Sequence, residues 1–465
     1  MFDVALFIHS FNLSYYLVLN LKKSLQMNRL FLLLYSMLFY GLVSCSSYGK
    51  SNDTIKAIEK TDSCTSESKN SYEVYVPRRR NAVEKLPLLV IIDAHGNGKY
   101  ALNKFKQGAI GYPVVLVASN LIKNGFAGYE EAIRTLIADV RQKYPVDKTV
   151  FLSGFSGGAR MALGFGISNQ LNGLILCGAL ANSDQIKALR CPVISISGMD
   201  DFNFMETAQY LFQEQLTPGN LKIELTNASH SWPDSMMLSN ALGFLCLSNQ
   251  VSAKFTPTDS QVKLYCQLQY ARIDSLKQLG AFLNAALVAH NMASTEPFNG
   301  DKRFSVIYNK LKNNPGYISQ LNRLGQCLQF EINVRQSYID DFQSKDTLWW
   351  KKEIISMDEK IKTAQDSYTK DMYLRIKSFL GIAVYTFCKQ AISQENAEKL
   401  NKMLSIYRRL EPGNPDLLYF SSFPYFWKGN NVATLSMLKK ALKAGFSDRD
   451  QLRKDFPEII SSKLF

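Results

Sequence analysis

The sequence has little of what builds a metal site or a disulfide framework. Its 465 residues include eight cysteines and four histidines, and no two cysteines stand in a Cys-x-x-Cys pair. Structural zinc sites depend on such closely spaced ligands, so we expect no bound metal and no cofactor. The widely separated thiols, among them Cys177 and Cys388, are expected to be small buried apolar side chains. We therefore predict no disulfide framework.

Nucleic-acid recognition motifs are absent too, although the chain is basic. Its net charge of +14 comes from lysines and arginines spread along the sequence, apart from the run Arg78-Arg79-Arg80. This charge fits a solvated surface or attraction to anionic lipid or polysaccharide, and we expect no nucleic-acid partner. A hydrophobic content of 46% excludes a disordered chain, and the length exceeds what one core usually covers. We expect two domains.

The apolar run near the amino terminus is too short to cross a bilayer comfortably. It covers the 14 residues 30–43 and follows Asn28-Arg29, which is typical of a signal-peptide core. It ends in Leu42-Val43-Ser44-Cys45, which resembles the lipobox of bacterial lipoproteins and implies a lipid on Cys45. Polar residues before Met27 favour that methionine as the true start. We therefore expect a membrane-anchored envelope protein, attached to the outer membrane of a Gram-negative bacterium.

Residues 71–248 alternate short apolar runs with amphipathic segments. Seven runs are typical of buried strands: YEVYV at 72, LLVIID at 88, VVLVAS at 114, TVFLS at 149, NGLILC at 172, PVISIS at 192 and LKIEL at 221. Between them, the stretch from Tyr129 to Lys143 has apolar residues at helical spacing. This alternation predicts a doubly wound, mostly parallel α/β sheet. The polar residues 46–70 before it are expected to be a flexible tether.

The remainder of the chain is predicted to be helical. A linker at 249–260 contains Pro257 and several polar residues, and residues 261–465 contain no strand-like run. Helices are predicted near EPGNPDLLYF, from Lys399 to Leu410, from Asp416 to Lys428 and from Val432 to Leu442. They resemble tetratricopeptide-type repeats, which stack helical hairpins and can bind protein partners. A plain helical bundle is the alternative.

The strongest chemical signal is Gly154-Phe155-Ser156-Gly157-Gly158. It stands directly after the strand TVFLS and directly before the helix-like ARMALGFGI. A nucleophile elbow needs this context, because a sharp strand-to-helix turn with a strained serine requires small neighbours. We therefore predict that Ser156 is a nucleophile.

Acyl transfer at Ser156 also needs donors for the developing oxyanion. The N–H of Gly157, at the start of the following helix, is one candidate. The loop Ala94-His95-Gly96-Asn97-Gly98 after LLVIID resembles the His-Gly oxyanion loop of esterases and dienelactone-hydrolase-like enzymes. That resemblance implies a second donor in the main chain of Asn97 or Gly96.

The acid and the base are expected after the last two strands. PVISISG runs into Met199-Asp200-Asp201, where the spacing favours Asp201, with Asp200 as the alternative. His230 follows the run LKIEL and fits the general base. His290, the later histidine, lies in the helical part and is expected to pack or lie at the surface.

The segment His230-Ser231-Trp232-Pro233 is similar to the one around the catalytic histidine of polyhydroxybutyrate-depolymerase-like and feruloyl-esterase-like hydrolases. This chain has Ser229 and Asp234 where those families usually carry glycine. Together with the elbow and the His-Gly loop, the resemblance covers residues 71–248 and implies the α/β-hydrolase superfamily.

The order serine, acid, histidine predicts an exported serine esterase. Its substrate would be an ester or an acylated polymer. A serine peptidase of the prolyl-oligopeptidase type uses the same order and is one alternative. The other is a non-catalytic envelope protein that presents the helical part to a protein partner.

Overall fold

The computed structural model describes residues 55–79, 81–212, 218–248 and 259–460. The expected signal peptide, the start at Met27, the lipid site Cys45 and most of the linker lie outside this range. Among the helices that are described, none is both long and apolar enough to cross a bilayer.

Eight strands form one sheet in the first half of the chain. They are β1 (Ile58–Ser63), β2 (Ser71–Val76), β3 (Leu86–Ile92), β4 (Val115–Ser119), β5 (Val146–Phe155), β6 (Gly173–Cys177), β7 (Val193–Gly198) and β8 (Leu221–Thr226). Their order in the sheet is β1-β2-β4-β3-β5-β6-β7-β8. The pairs β1–β2 and β2–β4 are antiparallel, and all other neighbours are parallel. The seven predicted strands and the mostly parallel sheet are confirmed.

Helices cover both faces of this sheet. They are α1 (Gly98–Gly111), α2 (Tyr129–Lys143), α3 (Gly157–Ser168), α4 (Ser183–Ala188), α5 (Phe204–Phe212) and α6 (Ser235–Ser248). Alternate residues of β3 enter different cores, because successive side chains of a strand point to opposite faces. Leu88 and Val90 join the core with α2 and α3, whereas Leu89 and Ile91 join the core with α1 and α6. Burial on both faces explains why these strands are continuous apolar runs.

The expectation of a tether over residues 46–70 is wrong for the part that is described. Residues 58–63 form the edge strand β1, which has no apolar run because most of its side chains face solvent. Polar contacts hold it in place: Lys106 Nζ lies 2.5 Å from Glu59 Oε2, and Tyr144 Oη donates to Asp62 Oδ2 at 2.5 Å. A charged edge strand of this kind also resists pairing with other chains.

The second half of the chain is helical, as predicted. Its helices are α7 (Asp259–Gln278), α8 (Phe282–Ala293), α9 (Arg303–Lys312), α10 (Pro315–Ser344), α11 (Thr347–Thr363), α12 (Ser367–Ser393), α13 (Ala397–Leu410), α14 (Pro415–Phe420), α15 (Phe423–Phe426), α16 (Asn431–Lys443), α17 (Arg449–Asp455) and α18 (Pro457–Ile460). α10 alone has 30 residues, nearly the length of a whole tetratricopeptide unit of about 34 residues. Tetratricopeptide-type hairpins therefore stay a prediction for the last helices only.

The hydrophobic core does not divide at the predicted linker. Helices α7 to α9 share the core of α1 and α6. Helix α8 packs against β8, the edge strand at the opposite side of the sheet from β1. Asn291 Nδ2 donates to Ile223 O at 2.9 Å, and Asn284 Nδ2 donates to Leu225 O at 3.2 Å. A separate helical core extends from Cys327 to Ile459. We use "helical region" below for α10 to α18.

Candidate active site

Ser156 lies at the turn between β5 and α3, with a backbone that few residues tolerate. Its φ of 54° and ψ of −117° are strained for a side chain with a Cβ. The turn is also crowded, because a Cβ on Gly158 would lie 2.1 Å from Ile92 O. The N–H of Ser156 donates to Cys177 O on the neighbouring strand at 2.8 Å. The sharp turn thus presents the hydroxyl at the carboxyl-terminal edge of the sheet.

The structure brings Ser156, His230 and Asp201 together. His230 Nε2 lies 2.9 Å from Ser156 Oγ, and His230 Nδ1 lies 2.9 Å from each carboxylate oxygen of Asp201. Asp201 follows β7 and is 1% exposed, while His230 follows β8. A buried carboxylate on Nδ1 leaves Nε2 facing the hydroxyl, which is the arrangement that a general base needs.

The alternative acid, Asp200, does not hydrogen-bond to His230, whose Nδ1 lies against Asp201. The Oδ1 of Asp200 is buried without a hydrogen-bond partner in the described part of the chain. Burial raises the pKa of this carboxyl, and the adjacent charge of Asp201 adds to the rise. Asp201 has more hydrogen-bond partners, since its Oδ1 also accepts from the N–H of Asn203 at 2.8 Å. The geometry therefore favours Asp201 over Asp200 as the partner of His230.

Aromatic rings enclose the imidazole of His230. The ring of Phe202 lies 4.2 Å from it and that of Phe155 lies 4.7 Å from it, centroid to centroid. Trp232 packs on Phe155 at 5.5 Å and donates from Nε1 to Asp93 Oδ2 at 2.7 Å. The segment that carries the histidine is thereby tied to the loop after β3.

That loop, residues 93–97, is organised around the buried carboxylate of Asp93. Its Oδ1 accepts from the N–H groups of His95 at 2.8 Å and of Asn97 at 3.2 Å. The N–H of Gly96 donates to the carbonyl of Asp93 at 3.1 Å, and the φ of Gly96 is +73°. Both predicted donors, Gly96 and Asn97, therefore direct their N–H groups into the loop. The imidazole of His95 is 81% exposed and stands outside the Ser156–His230–Asp201 array.

Gly157 and Asn124 lie beside Ser156. Gly157 is the first residue of α3, so its N–H has no acceptor within that helix. The exposed side chain of Asn124 crosses over Gly157, since a Cβ there would lie 1.7 Å from Asn124 Oδ1. The N–H of Asn124 donates to Ala94 O at 2.9 Å, which joins it to the Asp93 loop. No pattern in the sequence marks Asn124, because it stands in an irregular loop after β4.

The helical region borders this site from two sides. Arg375 on α12 donates to Met199 O, and Arg335 on α10 donates to Phe202 O at 3.1 Å. At the other side, burial raises the pKa of Asp416 on α14, with Lys389 and His95 opposing that rise.

The remaining candidate residues lie away from Ser156. His290 is on α8, with its ring 4.8 Å from that of Tyr308. The seven described cysteines are all buried. Within the described ranges, no three side chains of His, Cys, Asp or Glu are grouped closely enough to hold a metal ion.

Comparisons with family models and with curated protein sequences give no relative from which a role could be carried over. No family model matches the chain, and no curated protein sequence matches it either. The geometry of the site is therefore the basis on which a function can be proposed.

Proposed function

We propose that this protein is a serine hydrolase of the α/β-hydrolase superfamily that cleaves a carboxylic ester. The observation that carries the proposal is the continuous chain from Ser156 Oγ through His230 to Asp201, with 2.9 Å at each step. The strained φ of Ser156 supports it, because such strain persists in a fold chiefly where function needs it.

The topology supports the same class. The serine follows β5, the acid follows β7 and the histidine follows β8, in a sheet where β2 alone among the described strands runs antiparallel to the others. This is the chain order of the α/β-hydrolase triad, with the serine at a strand-to-helix turn.

In the proposed reaction, His230 Nε2 takes the proton of Ser156 Oγ as that oxygen attacks the ester carbonyl. Asp201 holds the imidazole and stabilises its charged form. The protonated imidazole then gives its proton to the leaving alcohol, and water hydrolyses the acyl-enzyme. The N–H of Gly157 is the first oxyanion donor. A second donor from Asn97 or Gly96 has to release its hydrogen bond to Asp93 first.

The first test is labelling of the purified protein with a fluorophosphonate probe. Wild type should label, whereas Ser156→Ala and His230→Ala should not. His290→Ala is the matched control, because it removes a histidine far from the serine, and it should label like wild type. A folded wild type that never labels would contradict the proposal.

The substrate class needs a second measurement. A series of nitrophenyl esters with increasing acyl length should give turnover, and peptide nitroanilides should give none. Cleavage of the anilides at a rate comparable to the esters would favour the peptidase alternative.

Export and lipid anchoring are part of the proposal on sequence grounds. The apolar run 30–43 and the lipobox-like Leu42-Val43-Ser44-Cys45 support them. Fractionation of cells that express the full chain should place wild type in the membrane fraction and Cys45→Ala outside it. Equal membrane recovery of both would argue against a lipid on Cys45.

A further inference from the structure

The loop Met199–Phe202, here called the acid loop, is held only partly by its own half of the chain. The N–H of Met199 donates to Thr226 O at 2.8 Å, and the N–H of Asp201 donates to Gly198 O at 3.2 Å. These bonds use the N–H groups. The carbonyls of Met199 and Phe202, one on each side of Asp201, accept from the helical region instead.

Arg375 donates a hydrogen bond to the first of these carbonyls, that of Met199, from a fully buried position. Its Nη1 donates to Met199 O, while its Nε and Nη2 donate to Glu331 Oε2 at 2.8 and 2.6 Å. Both side chains are 0% exposed. The guanidinium also lies over the ring of Phe204, 5.0 Å from its centroid. The planar fork of Arg375 is therefore fixed at several points when it meets the acid loop.

Arg335 donates a hydrogen bond to the second carbonyl, that of Phe202. Its Nη2 donates to Phe202 O at 3.1 Å and lies 2.5 Å from Glu331 Oε1. Its guanidinium stacks on Phe379 at 4.8 Å, and its charge interacts with that of Asp201. Because the ring of Phe202 packs on His230, a shift of this carbonyl would disturb both the acid and the base.

Burying two charges completely and most of a third is a costly way to hold the helical region against the α/β half. Apolar residues of similar volume often replace a buried ion pair without loss of stability. A guanidinium, however, can donate to a backbone carbonyl in a fixed direction, which an apolar side chain cannot do. The arrangement is thus better explained by positioning of the acid loop than by adhesion.

We propose that Arg335 and Arg375, held by Glu331, are positioning residues for the catalytic acid, so that the helical region is part of the catalytic unit. This inference rests on the proposed hydrolase function. It assigns the helical region a task in the reaction, apart from any partner or substrate it binds.

The test compares wild type with Arg335→Met and Arg335→Lys, with Arg323→Met as the matched control. Arg323 is on the same helix, but it is 43% exposed and pairs with Asp366 away from the acid loop. Thermal unfolding first establishes that each variant is folded. Ester turnover is then resolved into kcat and KM, and hydrogen exchange is followed in peptides that contain residues 199–212.

Arg335→Met should lower kcat by ~10- to 100-fold with KM little changed, because a misplaced catalytic group costs about this much. Arg335→Lys, which keeps a charged donor, should restore much of that loss. The acid loop should exchange faster in Arg335→Met and unchanged in Arg323→Met. Equal kcat and equal exchange in a folded Arg335→Met would overturn the proposal.

The two proposals fail in different ways. If the hydrolase function is wrong, wild type shows no turnover, yet the exchange experiment still reports whether Arg335 holds the loop. If only the positioning is wrong, wild type turns over and Arg335→Met matches it.

Discussion

The α/β half and the helical region each bury a charged array, and the two arrays meet at the acid loop. In the first half, Asp201 and His230 are aligned on Ser156. In the second, Glu331 is shared between Arg335 and Arg375. The first array ends on a hydroxyl at an accessible edge, whereas the second ends on backbone carbonyls. In the proposed hydrolase, similar electrostatics would therefore serve chemistry in one region and placement in the other.

The largest expected effect breaks the first array. Asp201→Asn should lower kcat by about 10⁴-fold, because the asparagine leaves the imidazole in the wrong tautomer. Asp200→Asn is the matched control and should stay within about tenfold of wild type, because Asp200 does not contact His230. Ester turnover of both variants is the measurement. A greater loss in Asp200→Asn would assign the acid to that residue instead.

The next effect breaks the second array. Glu331→Gln leaves the fully buried guanidinium of Arg375 and the partly buried one of Arg335 without a carboxylate, and the free energy of unfolding should fall by ~3–5 kcal/mol. The exposed Glu359 is the control, and Glu359→Gln should stay within about 0.5 kcal/mol of wild type. Urea unfolding distinguishes them. A small loss in Glu331→Gln would mean that these charges are not buried as described.

The smallest effect concerns acidic groups near the contact between the two regions. Burial raises the pKa of Asp371 from 3.8 to about 6, and Asp200 adds to this rise while Arg375 and Lys370 oppose it. The unfolded chain loses this proton first, so the contribution of Asp371 to folding stability should fall as the pH rises from about 4 to 6.

Asp371→Asn should therefore remove this contribution. Between about pH 4 and 6 the free energy of unfolding of the variant should rise relative to that of wild type. At about pH 7 it should exceed the wild-type value by about 1 kcal/mol, after allowance for solvent screening. The measurement is urea unfolding at a series of pH values. Asp340→Asn, at an exposed position on α10, should leave the curve unchanged. An Asp371→Asn curve parallel to that of wild type would contradict the assignment.

The sequence predicts the α/β half better for a physical reason. Strands covered on both faces are continuous apolar runs, and the elbow, acid and histidine stand next to such runs in a fixed order. β1 was missed because an exposed edge strand such as IEKTDS has no apolar signal. The spacing already favoured Asp201 over Asp200, but only the fold shows which of the two adjacent carboxylates reaches His230.

The charges of the helical region could not be predicted in the same way. Arg375 is 176 positions from Met199, and nothing local marks it as buried. Arginine and glutamate on a helix are usually solvated, so Glu331 and Arg335 look like an ordinary surface pair four residues apart. The helix lengths and the continuous core across the predicted linker likewise depend on distant contacts.

Helix α10 determines how the two hydrophobic cores are expected to unfold. Its 30 residues extend about 45 Å, and they place Leu324 and Leu328 in the core of the sheet and Phe342 in the core of the helical region. Neither core can melt without removing one wall of the other. The described chain should therefore unfold in a single cooperative heat-absorption peak. A protease would not release the helical region as a stable fragment that leaves an intact sheet behind.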